Sequence, residues 1–91
     1  MGSKEKDDML NLRAGVVMQK IEAQAVLLDT DAGIYFSLNH SGVAMLEALL
    51  TGLDEQQTCA RISALYEITL ERVQEDLRHL LAALRERQLI S

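Results

Sequence analysis

Proline and tryptophan are absent from this chain of 91 residues, and cysteine occurs once, at Cys59. A lone cysteine forms no intrachain disulfide, which suits a reducing compartment and makes the cytoplasm the expected location. Phenylalanine also occurs once, and tyrosine twice. The core must therefore be aliphatic, and the supply is adequate, since 48% of the residues are apolar. No apolar run approaches the roughly 20 residues that a membrane helix needs. The opening MGSKEKDDMLN lacks the apolar centre of a secretion signal. Basic charge is scarce as well: nine Lys and Arg stand against fourteen Asp and Glu, a net charge of −5. Non-specific nucleic-acid binding needs clustered cations that displace counterions, so neither nucleic acid nor membrane is an expected partner.

A chain of this length makes one domain at most. Its start mixes both charges with little apolar content, so residues 1–12 read as a disordered tail and 13–91 as the folded domain. Within that domain the pattern changes period once. VVMQKI (16–21), AVLLD (25–29) and IYFSL (34–38) are aliphatic or β-branched runs joined by short polar turns. Such connections predict an antiparallel meander. DTDAG (29–33) is a turn signal, with Gly33 free to take positive φ.

From Asn39 onward the period is helical. Asn39 is an N-cap, with Leu38 and Val43 at the staple positions around it, and Gly52 is placed to end the helix. Asp54 with Gln57 forms a capping-box pattern for a second helix, on which Ile62, Leu65 and Tyr66 share a side. Thr69 caps a third, whose stripe is Leu70, Val73, Leu77, Leu80, Leu81 and Leu84. The closing LIS reads as a short extended tail. The expected fold is α+β: a three-stranded antiparallel sheet, then three helices, in a winged helix-turn-helix-like order.

No catalytic constellation is present. His40 and His79 fall on different elements, and neither has a Cys, Asp or Glu at metal-ligand spacing. GVAMLEALLTG lacks the Gly-rich run and Lys of a phosphate loop. No cofactor is expected, and the chain reads as a non-enzyme. Cys59 reads as a small buried apolar residue. A DNA-binding winged helix would send its last helix into the major groove. Here Arg72, Arg78, Arg85 and Arg87 are offset by Glu71, Glu75, Asp76 and Glu86, which would repel phosphates.

The third strand carries the chain's only Phe beside a Tyr, at Tyr35 and Phe36. Alternation puts Ile34, Phe36 and Leu38 on one face and Tyr35 and Ser37 on the other. As an edge strand it offers unpaired N–H and C=O groups to any extended chain, which is what β-augmentation by a peptide uses. The same aromatics could equally pack in a small core.

The stretch from VVMQKI to LLTG, followed by ALYEITLERVQEDLRHLLAAL, resembles the family of pyrroloquinoline quinone biosynthesis protein D. Within it, the likeness is to relatives that serve lasso peptides and other ribosomally made, modified peptides. The shared features are Leu27-Leu28-Asp29, Gly33 to Phe36, Leu38-Asn39 and Asp76-Leu77, in order over about residues 16–90. Many relatives carry a Trp where this chain has Met45-Leu46, which leaves a slimmer core here. The resemblance implies a domain that binds the leader segment of a precursor peptide as an extra strand, in a groove against the third helix. It would present the precursor to a modifying enzyme, such as a radical SAM protein, or to a leader peptidase. The candidate peptide-contacting residues are then Leu27, Tyr35 and Phe36 from the strands, and Arg72, Val73, Asp76, Leu77, His79 and Leu80 from the helix. Two other readings are a DNA-binding regulator and a structural adaptor that docks on an enzyme through its helices.

Overall fold

The two periods resolve as expected. The computed structural model describes residues 10–90. They form strands β1 (Val16–Ile21), β2 (Gln24–Asp29) and β3 (Ile34–Leu38), then helices α1 (His40–Leu50), α2 (Glu55–Tyr66) and α3 (Leu70–Glu86). The sheet is antiparallel in the order β1-β2-β3. Gly33 takes φ +72° and donates its N–H to the Asp29 carbonyl at 2.8 Å, closing the β2–β3 turn.

Each helix starts where a side chain replaces its missing backbone acceptor. Asn39 accepts from the Gly42 N–H at 2.8 Å. Asp54 and Gln57 form the reciprocal capping box, at 2.7 and 3.0 Å. Thr69 accepts from the Arg72 N–H at 3.3 Å. Gly52, with φ +111°, ends α1.

The helices cover one face of the sheet. Register aligns Met18, Leu27 and Phe36 across that face, with Ala25 opposite Leu38. Ala25, Leu27 and Leu38 are buried there, beneath Leu46 and Leu49 of α1. Val73, Leu77, Leu81 and Leu84 of α3 complete the core with Ile62 of α2. Two positions depart from the helical stripes. Leu65 stands in solvent while its expected neighbours Ile62 and Tyr66 turn inward, and Leu70 is exposed at the start of α3. Both flank the α2–α3 turn.

The two ends of the described chain also differ from expectation. The closing segment is core rather than tail: Leu89 is fully buried and Ile90 nearly so. Ile90 forms a β-bridge with Leu12, and Leu10 and Leu12 pack against the core. The packed unit thus begins by Leu10, within the stretch read as a tail. The earlier part of that stretch lies outside the described residues.

One polar knot holds this corner together. The Asp29 carboxylate is buried and accepts from the Arg13 guanidinium and from the Asp31 and Ala32 amides, at 3.1 and 3.2 Å. Arg13 also donates to the Gln88 carbonyl, and its amide to the Leu89 carbonyl at 3.0 Å. The Ala32 amide does most to hold the Asp29 carboxyl below the usual carboxylate range; burial opposes it, and the Asp31 amide and Arg13 reinforce it.

A carboxyl with a depressed folded-state pKa is protonated more readily in the unfolded chain. Its contribution to stability is therefore complete above about pH 4 and is lost as pH falls through the folded value. Asp29→Asn should lower the thermal midpoint at pH 7 and lose much of its difference from the parent protein as pH falls through the folded value of Asp29, followed by circular dichroism. Leu89→Ala should cost about 2–5 kcal/mol in urea unfolding, the range for a buried core leucine and far above that for a tail.

Candidate functional site

Strand β3 pairs with β2 on one side only; among the described residues no strand takes its other edge. Edge strands are usually blunted by Pro, by inward-pointing charge or by a bulge. The opposite edge strand, β1, follows this rule: its Lys20 reaches Glu47 of α1 at 2.8 Å. The β3 sequence Ile34-Tyr35-Phe36-Ser37-Leu38 has neither a charge nor a Pro.

Beside this open edge runs a groove of about 420 Å³. One wall is Phe36, Ser37 and Leu38 of β3; the floor includes Ser41, Gly42 and Met45 from the start of α1. The far wall is one stripe of α3: Arg72, Asp76, His79, Leu80 and Ala83, spaced by three or four residues so that they share a side. No Cα of α3 comes within 8 Å of a Cα of β3. An added strand would lie roughly 4.8 Å from β3, nearer than any Cα of α3 comes.

The chemistry of the groove is mixed. Phe36 and Leu80 are half-buried and offer apolar surface. The Arg87 guanidinium, just past α3, lies over the Phe36 ring, 5.2 Å from its centroid. Arg72 donates to Asp76 one turn on, at 3.2 Å, so the pair lines the groove as a neutralised unit.

Of the residues expected from sequence, the structure gathers Phe36, Arg72, Asp76, His79 and Leu80 at this groove. Three others are placed elsewhere. Leu27, Val73 and Leu77 are buried to within 2% and hold the core, so they present no surface to a ligand. Val73 and Leu77 lie on the side of α3 that packs inward, a quarter-turn from the groove stripe. Tyr35, expected in the groove, projects from the opposite face of the sheet and is 67% exposed. Alternation separates it from Phe36. Sequence reasoning missed Ser41, Gly42, Met45 and Ala83. The α3 stripe continued by one turn would have reached Ala83. The α1 residues had no signal, since only the sharp entry from β3 into α1 brings them round. That entry needs a small residue: a Cβ on Gly42 would sit 3.1 Å from the capping oxygen of Asn39.

A second depression, of about 330 Å³, lies between α2 and α3 and is lined in part by Glu55, Cys59 and Arg78. Burial, and to a lesser degree Glu55, push the Cys59 thiol up, which keeps it protonated and a poor nucleophile. Among the described residues no group of three His, Cys, Asp or Glu could hold a metal ion, and no helix is long and apolar enough to cross a membrane.

Comparison with known proteins supports the arrangement. The family model for coenzyme PQQ synthesis protein D (PqqD) matches residues 24–90. The solved structure of TbiB1 in complex with the TbiA(beta) leader peptide is 30% identical, with a TM-score of 0.80, over 89% of this chain and 94% of that one. Lasso peptide synthetase B1 complexed with the leader peptide is 23% identical, with a TM-score of 0.84, over 91% of this chain and 98% of that one; at that identity it shows the fold alone. No curated protein gives a match.

The split between core and groove on α3 is measurable. Leu77→Ala should cost about 2–5 kcal/mol of stability, because its whole side chain leaves a cavity. Leu80→Ala, half-buried, should cost roughly 1–1.5 kcal/mol. Urea titrations of the two variants check the difference.

Proposed function

This chain belongs to the family of coenzyme PQQ synthesis protein D, and we propose that it binds the leader segment of a ribosomally made precursor peptide as a fourth strand on β3. The observation that carries this reading is the uncharged edge of β3, unpaired among the described residues, beside a groove whose far wall is α3. The solved structure of TbiB1, a complex with a leader peptide, supports it.

Affinity comes first from main-chain hydrogen bonds along residues 34–38, each worth about 0.5–1.5 kcal/mol net. Selectivity comes from alternate leader side chains turned into the groove. An apolar one rests between Phe36 and Leu80; a charged or polar one meets Arg72, Asp76 or His79. The protein itself performs no chemistry in this reading. It holds the leader in the cytoplasm while a modifying enzyme or a leader peptidase acts on the rest of the precursor.

DNA binding is the weaker alternative. The α3 stripe that would face a duplex has its Arg72 already paired with Asp76.

The test is fluorescence anisotropy with a labelled peptide covering the leader of the precursor encoded beside this chain's gene. A Kd in the micromolar range or below, about −8 kcal/mol or better, is expected. Leu80→Ala should weaken it about tenfold, or 1.4 kcal/mol. Tyr35→Ala should change it less than about fivefold, since a cross-strand neighbour contributes only about 0.2–1 kcal/mol. Absence of binding by the parent protein at 100-fold higher concentrations would overturn the reading.

A further inference from the structure

Leader binding as described leaves one cation at the rim of the groove unused. Arg87 follows Ala83 by four residues, so it continues the α3 stripe one turn beyond the groove wall. Its guanidinium lies over the ring of Phe36, the middle residue of β3, 5.2 Å from the centroid. Arg87 is exposed, and among the described residues its side chain makes no hydrogen bond and meets no carboxylate. The other arginine of the groove, Arg72, is paired with Asp76. Arg61, Arg78 and Arg85 also lack an ion pair there, but none of them lines the groove or lies over its aromatic ring.

Resting on the leader-binding reading, we infer that Arg87 is a specificity-determining residue, which selects leaders carrying Asp or Glu at an inward-turned position beside Phe36. The chemistry favours a carboxylate. A guanidinium is drawn to an aromatic ring by its charge, which takes up none of its N–H groups. Those donors form a planar fork that matches the two oxygens of one carboxylate. Phe36 thus holds the fork at the strand edge and leaves it free to donate.

Distance and alternation fix where the acid stands. A side chain on an added strand lies about 4.5–5.5 Å from its direct partner on β3 and about 7–8 Å from the diagonal one. The apolar leader side chain between Phe36 and Leu80 takes one inward position, so the acid takes the next inward one, two residues along. Charge gives the preference its direction. The whole chain carries −5, so an acidic peptide is repelled at range, and only a local cation reverses that at the groove. A leader with Lys or Arg in that place would set like charge against Arg87, so the same residue also rejects wrong partners.

The test uses Arg87→Gln, with circular dichroism to establish that it is folded. Anisotropy then compares the labelled leader with amide variants of it, each replacing one Asp or Glu by Asn or Gln. Against the parent protein, one amide variant should bind about fivefold more weakly than the native leader. Against Arg87→Gln, the same pair of peptides should differ by less than about twofold, because the partner of the acid is gone. Arg61→Gln removes an equal charge from α2, away from the groove, and should leave leader affinity within about twofold of the parent protein. A leader without Asp or Glu that still binds, or an amide effect as large on Arg87→Gln as on the parent protein, would overturn the inference and leave leader binding intact. So would an equal loss with Arg61→Gln, since it would make total charge the cause. Failure of the parent protein to bind any leader peptide would instead sink the functional reading, and this inference with it.

Discussion

The position of β3 depends on one carboxylate. Asp29 ends β2, accepts two amides of the turn that follows and takes the Arg13 guanidinium. Those amides set where the chain reverses, and so set the register of β3 against β2. A slip of one residue there would exchange Phe36 for Tyr35 on the inner face. Arg13 carries the same constraint onward to the backbone near Leu89. The turn, the start of the packed chain and its end are thus fixed by a single buried acceptor. The groove inherits its geometry from that knot, because among the described residues β3 has a strand on one side only.

The helices impose the complementary constraint. Three short helices cover one face of a three-stranded sheet, and they do not cover it evenly. α1 lies against β2 and β3, while α3 packs on α1 and α2 and stays away from β3. The inward side of α3 is spent on Val73, Leu77, Leu81 and Leu84, leaving its adjacent stripe to face the open edge. Moving α3 onto β3 would close the gap and pull those leucines out of the core. An uncovered edge is usually a liability. Here it is short, with Arg87 over Phe36 at its middle and the Arg72–Asp76 pair along the opposite wall.

Local pattern carried much of the fold. The alternation of IYFSL, the caps at Asn39, Asp54 and Thr69, and the positive-φ glycines at 33 and 52 each act over a few residues, so their signals are complete in the sequence. The candidate site was legible only in part. Leu77 and Leu80 look alike in the sequence: both are leucines on one helical stripe, and no local rule says which meets the core. Leu89 and Ile90 follow a helix end and read as a tail because their partners, Arg13 and Leu12, lie far back along the chain.

The sequence by itself determined the order of the elements, their boundaries and the fact that Tyr35 and Phe36 point to opposite sides. These follow from backbone sterics and from hydrogen bonds between near neighbours. Only the tertiary structure decided which of the two aromatics faces the groove, and that α3 stands off from β3 rather than sealing it. Those outcomes turn on which face the helices bury and on how leucines far apart in the chain pack together, and such contacts leave no local mark.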